Sequence, residues 1–181
     1  GLFSRILSNL PFSLTNSQVN VLEEIRRDMS STIQMSRLLQ GDVGSGKTIV
    51  GLLSMARSYD NGYQSVLIAP TEILADQHYL FLKNYVDIEE LVILKSSIGK
   101  IEKGKVKEKI ISGSAKFIVG THSLFQEDVE YRKLGMVVID EQHRFGVVQR
   151  KLMSEKGENP DVLVMTATPI PRTLSNIFFT D

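Results

Sequence analysis

The stretch Gly41-Asp42-Val43-Gly44-Ser45-Gly46-Lys47-Thr48 fills every fixed position of the pattern G-x-x-x-x-G-K-[ST]. A short apolar run, Met35 to Gln40, precedes it, and a segment patterned as helix, Lys47 to Tyr59, follows. Strand, loop and helix in that order are the context that gives the pattern physical meaning. Gly41, Gly44 and Gly46 let the backbone wrap closely, so that successive N–H groups and a helix N-terminus face a polyphosphate. In that arrangement Lys47 reaches the β- and γ-phosphates and the Thr48 hydroxyl ligates Mg²⁺. A chance glycine-rich turn does not account for Lys47 and Thr48 in register behind a strand.

Further apolar runs read as strands: Ser65 to Ala69, Leu91 to Leu94, Lys116 to Val119, Met136 to Ile139 and Val162 to Met165. Helices are expected from Thr15 to about Ser30 and from Thr71 to Tyr85. Val19, Leu22, Ile25 and Met29 form the expected buried stripe of the first. Ile73, Leu74, Gln77, His78, Phe81, Leu82 and Tyr85 share the expected inner face of the second. Continuous apolar strands alternating with helices argue an α/β fold, a parallel sheet covered on both faces. Ligands of such sheets lie beyond the carboxyl ends of the strands. The phosphate loop, Pro70-Thr71, Gly120-Thr121-His122, Asp140-Glu141 and Thr166-Ala167-Thr168 all follow directly after strands. They are expected to crowd one edge.

Asp140 ends an apolar strand, from which a carboxylate reaches the Mg²⁺ held by Thr48, usually through water. Glu141 can orient or deprotonate an attacking water. One acid for the metal and one for the water is what nucleotide hydrolysis requires, whereas a pure switch has no need of Glu141. His143 has three readings: a core histidine, a metal ligand, or a polar switch near the γ-phosphate. His78, His122 and His143 lack the i, i+4 pairing of a zinc helix, so metal is the weakest of these. Thr15 and Gln18 stand three apart, as in a capping box. The alternative is that Gln18 reads adenine through its amide while Phe12 packs on the base.

The 181-residue chain is the size of one ordinary domain, and 42% of it is hydrophobic, enough for a core. Its 21 basic and 21 acidic residues cancel, so a nucleic-acid partner has to be held by local patches. The absence of cysteine excludes a disulfide scaffold, a zinc ribbon and a thiol nucleophile. No run of about 18 apolar residues suggests a membrane span. The most basic stretch holds Lys100, Lys103, Lys105, Lys107 and Lys109. It reads equally as a solvated helix face or as phosphate contacts.

With Asp140-Glu141-Gln142-His143 the motifs together resemble the first motor domain of superfamily 2 helicases and translocases, closest to the RecG type of bacterial DNA helicase. Leu39 to Thr48 is similar to that family's motif I, Ala69 to Ala75 to motif Ia, and Gly120-Thr121-His122 to motif Ib. Asp140 to Gly146, with Gln149-Arg150, resembles motif II, and Thr166 to Thr173 motif III. Leu14-Thr15 with Gln18 resembles the adenine-reading Q motif, which favours the adenine role for Gln18. The resemblance spans Pro11 to Asp181. It implies a three-layer RecA-like P-loop domain with a mostly parallel sheet over residues 11–181, preceded by an extension at 1–10.

The resemblance further implies ATP and Mg²⁺ as cofactors and branched or forked DNA as partner. Lys47, Thr48, Asp140 and Glu141 would carry the ATP chemistry. Gln142 and His143 would sense the γ-phosphate and signal to Thr166, Ala167 and Thr168. Pro70, Thr71, Gly120, Thr121 and His122 would line the DNA track, contacting phosphates without reading bases. A second lobe bearing an arginine finger and a wedge domain are expected elsewhere in a longer parent, a monomer of the bacterial cytoplasm. Without that arginine the lobe alone would lose about 10³–10⁵ in rate. The competing readings are a duplex-DNA translocase of the transcription-repair coupling type and a nucleotide-dependent interaction module. An RNA helicase fits less well, since such families more often carry Asp-Glu-Ala-Asp or a relative at motif II.

Overall fold

Consecutive residues of a strand point to opposite faces of a sheet, and in this chain both faces are covered. The computed structural model describes residues 1–31, 33–40, 46–126, 128–140 and 159–166. Its elements are α1 (Leu2–Asn9), α2 (Asn16–Met29), β1 (Ser36–Gln40), α3 (Gly46–Asp60), β2 (Gln64–Ile68) and α4 (Glu72–Lys83). They continue with β3 (Leu91–Leu94), α5 (Lys100–Ser112), β4 (Phe117–Gly120), β5 (Leu134–Asp140) and β6 (Asp161–Thr166). The described strands form one sheet in the order β1-β6-β5-β2-β4-β3, with every pairing parallel.

Leu67, Val119, Met136, Val138, Leu163 and Met165 bury one face against α1, α2, α3 and α4. Their neighbours Val66, Ile68, Ile118, Val137, Ile139, Val162 and Val164 bury the other face, with Val106 and Ile110 of α5. This is the three-layer α/β arrangement expected, and the two-sided burial is why the strands read as unbroken apolar runs. The lysines of α5 ride on a helix anchored by Val106 and Ile110, and Lys107 pairs with Asp128. At the sheet's edge, Arg37 of β1 lies buried beneath α2, its Nε donating to Asp28 Oδ2 at 2.9 Å. An inward charge on an edge strand discourages pairing with another chain.

Two expected inner faces need correcting. Val19 is 49% exposed, and the stripe of α2 is Val21, Leu22 and Ile25 with Met29 packed beside it. Val19 and Val21 flank the Leu22–Ile25–Met29 line on opposite sides, at about 100° per residue. Spacing cannot choose between them. Val21 is the one buried, in the core that α2 shares with α3. Ile73 is 72% exposed because α4 buries Ala75 and Leu82, with Leu74 and Phe81 packed against the core, which turns Ile73 and Leu80 to solvent.

The first ten residues contain a helix with no capping side chain of its own at Gly1. Asp60, at the end of α3, accepts the Leu2 and Phe3 amides at 2.8 and 3.0 Å. A carboxylate there satisfies two orphan N–H groups and complements the helix dipole. Leu2 and Ile6 are buried in the core below, and the Arg57 guanidinium stacks 3.9 Å from the Phe3 ring centre.

Burial pushes the Asp161 carboxyl up from 3.8 to about 6; the Met35 N–H at 2.8 Å opposes the rise and the nearby Asp28 charge adds to it. The native state therefore keeps this proton to higher pH than the unfolded chain, and stability falls as pH rises through that window. Asp161→Asn keeps an acceptor for Met35. It should raise the melting temperature over the unsubstituted protein at about pH 7 and make little difference at about pH 4. A gap independent of pH, measured by thermal unfolding, would contradict this.

Candidate active site

Parallel registry brings the ends of separate strands to one level. Gln40 of β1 pairs with Thr166 of β6, and Met165 pairs with both Leu39 and Asp140 of β5. Ile68 of β2 pairs with Ile139 and with Gly120 of β4. With strands about 4.8 Å apart, β1 and β5 stand roughly 10 Å apart across β6. That span suits a polyphosphate lying along the edge.

Lys47 and Thr48 occupy the first turn of α3, which begins at Gly46. Lys47 is buried, and among the described residues no carboxylate pairs with it. A buried ammonium at the positive end of a helix is a site suited to an anion. Beside it lies a largely apolar recess of about 340 Å³ lined by Phe12, Thr48, Ile49, Gln77, His78, Phe81 and Tyr85. The Phe81 and Tyr85 rings pack on each other with centres 5.3 Å apart.

Gln18 forms the capping box: its Oε1 accepts the Thr15 N–H at 2.9 Å, and Thr15 Oγ1 accepts the Gln18 N–H at 3.1 Å. Its Nε2 meanwhile lies 3.5 Å from the Gly46 carbonyl, at the limit of a hydrogen bond. Helix capping and contact with the phosphate-loop helix thus coexist in one side chain. Gln18 does not line the recess that Phe12 borders.

Asp140 is buried at the end of β5, and its Oδ2 lies 2.6 Å from His78 Nε2. Residue spacing placed His78 on the inner face of α4 but held no sign of a carboxylate 62 positions later. The other post-strand segments also reach this edge. Thr71 is exposed and caps α4 by accepting the Leu74 N–H at 3.2 Å, while Pro70 before it is half-buried. Gly120 and Thr121 are buried and His122 is exposed. Thr166 is buried at the end of β6. Gly41, Asp42, Val43, Gly44, Ser45, Glu141, Gln142, His143, Ala167 and Thr168 lie outside the described residues.

The model of the family described as "DEAD/DEAH box helicase" matches residues 15–177. The chain belongs to that family. It is 54% identical over 173 residues to the ATP-dependent DNA helicase RecG of Streptococcus pneumoniae, covering 96% of this chain and 26% of that protein. RecG of Bacillus subtilis is 49% identical over 180 residues, with 97% and 26% covered. The chain thus spans about a quarter of the length of these relatives. A solved structure of RecG bound to a three-way DNA junction superposes with a TM-score of 0.84 at 43% identity, over 98% of this chain and 24% of that one. The UvsW helicase of bacteriophage T4 shares the fold at a TM-score of 0.68 and 17% identity, over 92% of this chain and 59% of that one.

Gly120 tests whether a motif residue serves packing or a ligand. A Cβ there would fall 2.5 Å from the Leu94 carbonyl oxygen and 2.8 Å from Leu124 Cδ1. The first is backbone and cannot step aside. Gly120→Ala is therefore expected to cost about 1–3 kcal/mol of stability in urea unfolding. Unchanged stability with weakened DNA binding would instead assign the glycine to the ligand.

Proposed function

We propose that this chain is the nucleotide-binding motor lobe of a RecG-type ATP-dependent DNA helicase, which couples ATP hydrolysis to translocation on branched DNA and its remodelling. The reading rests on the convergence of a buried Lys47, Thr48 and Asp140 on one sheet edge, in a chain similar to RecG along nearly its whole length.

Each residue then takes a role. Lys47 and the N-terminus of α3 neutralise the β- and γ-phosphates, and the backbone of Gly41 to Gly46 wraps them. Thr48 and Asp140 offer oxygen donors, and among the described residues no group of three or more His, Cys, Asp or Glu could enclose a metal. That donor set fits Mg²⁺, which keeps several waters and takes one or two protein oxygens along with phosphate oxygens. Bound there, Mg²⁺ would neutralise charge developing on the phosphates. Glu141 follows Asp140 directly and is assigned to the attacking water. Phe12 and Gln18 serve the adenine, and Gln142 and His143 sense the γ-phosphate for Thr166, Ala167 and Thr168.

Exposed Thr71 and His122 border the same edge and suit a phosphate backbone. With Pro70, Gly120 and Thr121 they form the proposed DNA track. A second lobe of the parent chain supplies the arginine that completes the cleft. Among the described residues no helix is long and apolar enough to cross a membrane. We assign the parent to the bacterial cytoplasm as a monomer.

Phosphate release by the full-length protein carrying this chain, with and without forked DNA, tests the reading. Turnover should rise severalfold or more with forked DNA and less with linear duplex. Turnover indifferent to DNA would contradict the motor and favour a nucleotide-dependent interaction module.

A further inference from the structure

His78 is a polar side chain with no place yet in the nucleotide chemistry, and it makes a close polar contact within the site. Its Nε2 lies 2.6 Å from Asp140 Oδ2, and both side chains are only 12% exposed. An ionised carboxylate only accepts, so Nε2 carries the proton and donates. A short bond to a charged acceptor is among the stronger kinds, and little water competes at this exposure. The same imidazole lines the recess with Thr48 and Phe12.

Asp140 is the last residue of its strand, where the ladder fixes the backbone and the rotation of the carboxylate is left to its side-chain contacts, His78 among them. A metal reached by one or two protein oxygens is sensitive to that rotation. We propose that His78 is a positioning residue of the metal site, holding Asp140 Oδ2 and so setting the rotation of the carboxylate that serves Mg²⁺. The inference rests on the nucleotide reading above and adds a residue to it from outside the motifs that hold the phosphates and the metal. Partners of this kind, which hold a ligand and do not touch the metal, are typically worth 10–100-fold in metal affinity.

The alternative is that His78 merely packs α4 against the sheet, and the test separates the two. Mn²⁺ replaces Mg²⁺ as probe, and its binding to the protein with ADP is followed by electron paramagnetic resonance. His78→Leu fills the space but donates nothing, whereas His78→Gln restores an N–H at similar reach. His78→Leu should weaken Mn²⁺ binding by about 10–100-fold, while ADP affinity measured in chelator stays unchanged. His78→Gln should recover most of the loss. Mn²⁺ affinity unchanged in His78→Leu would overturn the proposal. So would an equal loss of ADP affinity with and without metal, or no recovery in His78→Gln. Failure of the unsubstituted protein to bind Mn·ADP would overturn both this proposal and the nucleotide reading, whereas binding that His78→Leu leaves intact overturns this proposal alone.

Discussion

Parallel pairing in register is the constraint on which everything else in this chain depends. Because β1, β6, β5, β2 and β4 run the same way and end at nearly the same level, segments far apart in sequence are delivered to one edge. A slip of one residue in β5 would turn Val137 and Ile139 to the other face and carry Asp140 away from His78. Close packing resists that slip, since each strand has apolar side chains fitted into both helical layers. Packing and chemistry are therefore held by the same ladder.

The edge so formed is polarised. Lys47 and the N-terminus of α3 supply positive charge beside β1, and Asp140 with His78 supplies a fixed carboxylate two strands away. An anion with a counter-cation fits between them better than either alone. A buried ammonium is costly unless it is paired, and a phosphate at the N-terminus of α3 would pair Lys47.

Much of this was legible in the residues because it depends on local chemistry. The apolar runs became strands within a residue or two of their expected limits, since two-sided burial leaves a continuous pattern. The spacing of Thr15 and Gln18 became a capping box with both hydrogen bonds made. What was not legible depends on tertiary partners. Val19 and Val21 are nearly equivalent by spacing, and only the core that α2 shares with α3 separates them. The helix at residues 2–9 is capped by Asp60, a partner that no local pattern announces. His78 and Asp140 meet only through the tertiary fold, across 62 positions of sequence. Glu141, Gln142 and His143 lie outside the described residues.

The first turn of α3 is proposed to be a phosphate cradle. Calorimetric titration of Mg·ADP into this chain and into Lys47→Ala tests it most directly. The unsubstituted chain should bind, and binding should be lost, or weakened by about 10²-fold or more, when the ammonium is removed; one charge-assisted contact of this kind is worth about 1.5–3 kcal/mol, and a phosphate makes several. Equal affinity in the two proteins would contradict it, because the nucleotide would then be held somewhere other than the edge that the sheet builds.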